Sequence, residues 1–419
     1  MSSLTKNHEL REPVTPPAVM APTTPPTRVF VFFVTPFLYG MERAVIELFD
    51  SLRPEVEPYF LQSKRIFQLQ LPVVREMTRR EFAIEFLPDR TDWERLAKPR
   101  SLKHLCQMVT ASARSNLAAL KGVRGKDVLY VPGISAASSS LLAAVYCRLT
   151  GRRVLHHFHD LGTSNRLFPL WVLLITDCVH NTEFSFQTVV KQLPALSRKR
   201  NIIVPYIIEV DERPPDDPEV IRQLKGLRNL FFVGQISRHK GVDLLVDAFK
   251  QVAPKHPDVM LHLVGDGDLE FRQELENEIN AAGLKRQVMS WGFREDATRL
   301  LRFAYIYIQS SPPSRFHESF GRSVVEAMAH GVPIVCFRSG ALQEIVEHEK
   351  TGVLCDENPA SLADAMDRFL ADLNLRDRCG RCAKQRYEDL YTRQIVRKRW
   401  SEFLSANPTS RLRQTAGSR

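Results

Sequence analysis

NLFFVGQISRHKGVDLLVDAFKQVAPKHPDVMLHLVG, residues 229 to 265, changes its hydrophobic pattern twice. NLFFVG (229–234) is a continuous apolar run ended by glycine, as expected of a strand buried on both faces. GVDLLVDAFKQVA (241–253) spaces its apolar residues for one side of a helix, and VMLHLVG (259–265) returns to the continuous pattern. Strand, helix and strand in succession predict a parallel pair joined by a crossover helix. The alternation continues through a helix at DLEFRQELENEINAAG (268–283) and strands at QVMSWG (287–292), YIYIQSS (305–311), PIVCF (333–337) and GVLCD (352–356).

The same alternation appears upstream. RVFVFFVT (28–35) reads as a buried strand stopped by Pro36, followed by a helix from Glu42 to Leu52. YFLQ (59–62), FAIEFL (82–87), DVLYVPG (127–133), VLHHFHDLG (154–162), DCVHNT (177–182) and NIIVPY (201–206) continue as strands, with a helix at Leu102 to Leu120. The Pro- and Asp-rich joint ERPPDDPE (212–219) separates the two series. The chain therefore reads as α/β, with two Rossmann-like domains at 28–207 and 208–388 and a C-terminal helical segment at 389–406. Residues 1–27, with six prolines and no hydrophobic period, are expected to be a disordered leader, and 407–419 a disordered basic tail.

Composition narrows the classes. With 44% hydrophobic and 25% charged residues the chain is globular, and its longest candidate span, FPLWVLLIT (168–176), is half of the roughly 18 apolar residues a bilayer requires. Seven scattered cysteines and no secretory leader point to reduced thiols and a cytoplasmic protein. Only Cys379 and Cys382 have metal-like spacing, and with no second pair or nearby histidine they are assigned no metal. The net charge of +10 is concentrated from Arg376 to Arg419, where twelve basic residues face four acidic ones. This segment fits a solvated helix face or peripheral contact with an anionic membrane. Nucleic acid is not expected, because no aromatic platform, zinc finger or reading helix accompanies the charge.

Ligands of open parallel sheets bind at the carboxyl ends of strands, so the loops there are the candidate site. Gly40, in TPFLYGMER (35–43), lets a diphosphate approach the start of a helix. His159, in HHFHDLG (156–162), can donate to a sugar hydroxyl. Lys240 supplies a cation beside a helix amino end. Asp266 and Asp268, after Gly265 in VGDGD (264–268), have the spacing of a metal-binding pair but fit a turn and helix cap more economically. In HESFGRSVVEAMAHG (317–331) a helix is expected to begin near Ser319, Phe320 and Gly321, with free amides for phosphate, Glu326 inside it for ribose and Glu318 just outside for a hexose. At ~1.5 Å per residue, continuous helix would separate the two carboxylates by roughly 12 Å, near the reach of a nucleoside-diphosphate sugar.

From about Phe231 to Leu370 the order and spacing of FVGQISRHKGVDLLVDAF, LVGDGD, ESFGRSVVEAMAHGVPIV with its Glu-x7-Glu spacing, and SGALQEIV (339–346) resemble the retaining glycosyltransferases of family four. The amino-terminal half resembles them only at YGMER, HHFHDLG and DCVHNTEFS (177–185). The resemblance implies a GT-B fold, two Rossmann-like domains facing each other across a cleft, whose final helix crosses back to the amino-terminal domain. It implies hexosyl transfer from a nucleotide-diphosphate sugar to a carbohydrate or lipid-linked acceptor, with retention of anomeric configuration and no cofactor or metal, in the synthesis of polysaccharide, glycolipid or glycoconjugate. Lys240 and the backbone at Phe320 and Gly321 would hold the diphosphate, Glu326 the ribose and Glu318 the transferred sugar, with His159 facing that sugar. Two positions depart from the pattern: Gln235 replaces the usual arginine, leaving Arg238 or Arg322 to balance the leaving charge, and Tyr39-Gly40 replaces Gly-Gly. A GT-B epimerase or phosphorylase, or a catalytically idle nucleotide-sugar-binding partner subunit, would share the fold.

Overall fold

The computed structural model describes residues 25–35, 38, 40–87, 102–133, 136–159, 161–162 and 168–406. Most of the leader, the basic tail, Tyr39 and Asp160 lie outside the described residues.

Among the described residues, the strands form two all-parallel sheets. The first contains β1 (Thr27–Phe32), β2 (Val56–Ser63), β3 (Ala83–Leu87), β4 (Val128–Pro132), β5 (Arg153–Phe158), β6 (Asp177–His180) and β7 (Arg200–Ile203), in the order β3-β2-β1-β4-β5-β6-β7. The second contains β8 (Arg228–Val233), β9 (Val259–Val264), β10 (Val288–Gly292), β11 (Ala304–Gln309), β12 (Ile334–Phe337) and β13 (Gly352–Cys355), in the order β10-β9-β8-β11-β12-β13.

Strand alternation explains why the central runs are apolar throughout. In β1 and just beyond it, Val29, Val31 and Phe33 enter one core while Phe30 and Phe32 enter the core on the other face. In β8, Leu230 and Phe232 face one layer and Phe231 the opposite one. Each such side chain contributes roughly 1.5–3 kcal/mol by leaving water. The strand order reverses direction between β1 and β4 and again between β8 and β11, so each sheet has a crevice at its carboxyl edge where chains depart to opposite sides.

The change from one core to the next falls between adjacent residues, with Ile207 packed beneath the first sheet and Ile208 beneath the second. The helix Arg393–Ser405 returns Val396, Trp400 and Phe403 to the first core. Arg153 and Arg200 fasten its end by donating to the Leu404 and Phe403 carbonyls at 2.9 and 2.7 Å.

Two helix boundaries differ from the sequence reading. Residues 389–390 finish the helix Leu373–Leu390, so the crossing helix begins only at Arg393, after its N-cap Thr392. The helix expected near Ser319 starts at Arg322, because Gly321 takes a left-handed φ of 88° that no helix continues through. Glu318 therefore stands in a loop, and the 12 Å axial separation from Glu326 does not apply.

Trp400 is 2% exposed and sits beside Phe403, so Trp400→Ala should remove about 3–5 kcal/mol of stability by leaving a cavity in the first core. Urea unfolding followed by circular dichroism would measure it, and a change below about 1 kcal/mol would contradict the role given to this helix.

Candidate functional site

The crevice between β8 and β11 assembles the first group. After β8 the chain makes a short turn at Arg238–Lys240 and enters the helix Val242–Val252 through Gly241. Gly241 has φ of 65°, and a Cβ there would lie 2.0 Å from the Ser310 carbonyl oxygen at the end of β11. Glycine is required for that approach, which places Lys240 against the loop after β11. Lys240 Nζ donates to Glu318 Oε1 at 2.7 Å and lies 4.1 Å from the centre of the Phe316 ring.

Glu318 is buried. Its Oε1 also accepts from Ser311 Oγ at 2.6 Å and Gln309 Nε2 at 3.0 Å, while Oε2 has no hydrogen-bond partner among the described residues. The Tyr307 hydroxyl extends the network, lying within hydrogen-bond distance of Ser323 Oγ at 2.7 Å and Gln309 Oε1 at 3.0 Å. At Gly340, with φ of 51°, a Cβ would meet the Glu318 carbonyl oxygen at 2.4 Å, and the next amide, Ala341 N–H, donates to that oxygen at 2.8 Å. The loop is thus held by backbone as well as side chain. The helix Arg322–Ala329 has no side-chain cap at Gly321; the Val324 and Val325 amides donate to the Gly321 carbonyl, which leaves the Arg322 and Ser323 amides for an anion.

Arg322 and Glu326 form the second group. Arg322 Nε donates to Glu326 Oε1 at 2.9 Å, and its terminal nitrogen donates at 2.9 Å to Glu47, on the helix Gly40–Ser51 after β1. One guanidinium therefore joins the two halves. Burial depresses the Arg322 pKa, but Glu47 and Glu326 outweigh it and hold the group above its usual value. Burial raises the Glu47 carboxyl in spite of Arg322. Arg322 Nη1 is buried without a hydrogen-bond partner, while Glu47 Oε2 lies 2.9 Å from Arg322 Nη2. Arg322, one of two expected substitutes for the missing arginine charge, is thus already shared between two carboxylates.

The other substitute, Arg238, is turned outward onto Glu274 at 2.6 Å and stacks on Phe271. Gln235 is exposed in the same loop. Gly265, with φ of 140°, allows the loop after β9 to cross Gly234, where a Cβ would fall 1.9 Å from the carbonyl oxygen. Asp268 caps the helix Leu269–Ala281 by accepting from the Glu270 and Phe271 amides, and Asp266 pairs with Arg272 at 2.9 Å, so VGDGD is a turn and cap. Gly40 begins its helix in open space.

Across the crevice, His159 follows β5 and is buried. Its Nδ1 shares a 2.7 Å hydrogen bond with the Tyr206 hydroxyl, and the two rings stack, while Nε2 has no partner. With Tyr206 donating, the imidazole proton resides on Nε2. Tyr206 meets Phe320 edge to face at 4.8 Å, which connects His159 to the loop bearing Glu318. The Ser319 carbonyl accepts from Thr182 Oγ1 at 3.0 Å, and Glu344 accepts the Glu183 and Phe184 amides at the start of the helix Glu183–Gln192. Glu47, Thr182, Tyr206, Gln309, Ser311 and Glu344 were not singled out as site residues from the sequence, although Thr182 and Glu344 lie in the family-like stretches 177–185 and 339–346.

Two predictions follow from burial at this crevice. His156 and His157 are pushed down to about 3, chiefly by burial, with neighbouring histidines adding to it. Below pH 6.5 the unfolded chain takes up protons that the folded one refuses, so stability is complete above that pH and declines as pH falls towards 3. Urea unfolding at pH 7 and pH 5 should differ by about 2 kcal/mol for each of the two, and a flat profile would contradict their neutral burial. Separately, Arg322→Met strands two buried carboxylates and should cost about 3–5 kcal/mol. Adding Glu47→Gln should recover part of that loss, whereas additive losses would show that the two residues are not coupled.

Comparison with known proteins agrees with this geometry. Residues 216–386 match the family model for glycosyl transferases group 1. An uncharacterised glycosyltransferase of Methanocaldococcus jannaschii is 31% identical over 39% of this chain and 41% of its own length. The 2-deoxystreptamine N-acetyl-D-glucosaminyltransferase of Niallia circulans is 31% identical over 36% of this chain and 38% of its own. The chain spans about half the length of the curated relatives it matches, 41% to 55% for three of them. The crystal structure of Anabaena HepE in complex with UDP and glucose superimposes with a TM-score of 0.71 at 19% identity, covering 91% of this chain and all of that one. The fold is GT-B.

Proposed function

We propose that the chain moves a hexosyl group from a nucleoside-diphosphate sugar to an acceptor hydroxyl with retention at the anomeric carbon. The observation that carries this reading is Glu318, whose Oε1 is saturated by Lys240, Ser311 and Gln309 while Oε2 stays open beside an uncapped helix start. A carboxylate fixed in this way can accept sugar hydroxyls through its free oxygen without being displaced. The neighbouring amides and Lys240 meet the diphosphate. Glu326, with Oε1 on Arg322, offers its second oxygen to a ribose hydroxyl. His159 presents Nε2–H from the other sheet.

In the reaction the bond from the anomeric carbon to the diphosphate breaks, and its electron pair leaves with the phosphate oxygen. The acceptor oxygen forms the new bond on the same face, and its proton passes to the departing diphosphate. Lys240 and the helix start stabilise the developing negative charge, and no side chain becomes a covalent nucleophile. In this reading the transfer needs no bound metal; Asp268, engaged in capping, and Asp266, paired with Arg272, support it. The acceptor in this reading is a carbohydrate or a lipid-linked acceptor.

A panel of nucleotide sugars, offered with and without a mixture of carbohydrate and lipid-linked acceptors and read by acceptor-dependent release of nucleoside diphosphate with EDTA present, tests the reading. One donor should turn over. Glu318→Gln should lower kcat at least tenfold with little effect on affinity for the free diphosphate. Glu326→Gln should weaken that affinity by about five- to thirtyfold, roughly 1–2 kcal/mol. Equal effects on diphosphate affinity, a strict metal requirement, or release that needs no acceptor or only free phosphate would sink it, the last favouring an epimerase or phosphorylase. Binding without turnover of any donor would favour an idle partner subunit.

A further inference from the structure

Outside the crevice, one surface is conspicuously short of polar cover. Three helices, Leu102–Gly122, Leu141–Leu149 and Phe168–Leu174, lie side by side on one face of the first sheet. Their inner sides are spent on the core, through Ala119, Ala143, Ala144, Cys147, Trp171 and Val172. Their outer sides carry Leu117, Leu142, Val145, Leu149, Leu170 and Leu173, all exposed, with Leu149 and Leu173 at 83% and 69%. These are six of the thirteen large exposed hydrophobic side chains among the described residues, gathered on one layer of one half of the molecule. Single exposed leucines need no explanation, but a contiguous set marks a contact surface.

Charge indicates what the contact is. Residues 102–176 contain nine lysines and arginines, two aspartates and no glutamate. Arg114 and Lys121 flank Leu117 along its helix, and Arg148 stands beside Leu149, all three exposed. None of the three helices carries an acidic residue. We infer that this face docks on an anionic lipid bilayer, with the leucines seated at the headgroup boundary and the arginines and lysine on lipid phosphates. Apolar residues ringed by cations on helices lying flat meet both demands of interfacial binding. A second copy of the chain fits less well, because a symmetric pairing would press two basic faces together. The surface differs from the one expected from sequence: the basic helix Arg393–Ser405 packs against the opposite core of the same sheet.

This inference does not depend on the transfer reaction, and the test needs no substrate. Full-length protein is sedimented with vesicles of phosphatidylcholine alone or mixed with phosphatidylglycerol, at low and high salt. Binding is expected only to the mixed vesicles and should weaken with salt. Leu149→Asp with Leu173→Asp should reduce it at least about tenfold, and Lys121→Glu with Arg148→Glu should reduce both binding and its salt dependence, with unchanged melting temperatures because all four side chains are exposed. Removing residues 407–419 should leave binding intact. The proposal is overturned if the wild type ignores anionic vesicles, if the leucine variant binds as well as the wild type, or if deleting the tail abolishes binding. It is also overturned if the leucine variant only turns a dimer into a monomer, which would assign the face to a second copy.

Discussion

The site depends on a close approach between two stretches of backbone. Gly241 can lie against the Ser310 carbonyl only because it has no side chain, and that contact closes the crevice at the point where the second sheet reverses its order. Lys240 is carried to Glu318 by this closure, and Glu318 in turn organises Ser311 and Gln309. Gly340 performs the same service on the other side of the loop, admitting the Glu318 backbone. A lysine and a glutamate 78 positions apart thus meet because two glycines let the main chain come close.

The two halves are joined by charge and hydrogen bonds as well as by the returning helix. Arg322 reaches Glu47, Glu344 caps a helix of the first half, and Thr182 donates to the loop between Glu318 and Phe320. Two of these contacts, at Arg322 and Ser319, begin within a few residues of Glu318 and Glu326. Opening the crevice therefore strains the same loop that would hold the diphosphate, which links the spacing of the halves to occupancy of the site.

Much of the architecture was legible because buried parallel strands leave continuous apolar runs. RVFVFF, LFFV and IVCF can satisfy their burial in few other ways, and all three became central strands. The short helices at Pro72–Arg79 and Leu141–Leu149 were not read, being too brief for a clear period. The start of the helix at Arg322 was misplaced because glycine alone does not declare its φ. Within the site, motif spacing pointed to Glu318, Glu326, Lys240 and His159. Tyr206 beside His159, Gln309 and Ser311 on Glu318, and Glu47 on the Arg322 that pairs with Glu326 come from three distant parts of the chain, and no local pattern records which side chains the fold brings together. For Arg238 the sequence showed a charge near the loop but not the Glu274 that draws it away.

Arg200 and the Phe403 carbonyl that it holds are separated by 203 residues, with the whole second sheet between them. During synthesis the first sheet can form its strand pairs early, yet the side of its core beneath Val396, Trp400 and Phe403 stays uncovered until the second sheet has been made. The first half thus carries an uncovered apolar surface while the second is being made, and the last helix can complete the older half only after the chain of the younger one has been synthesised.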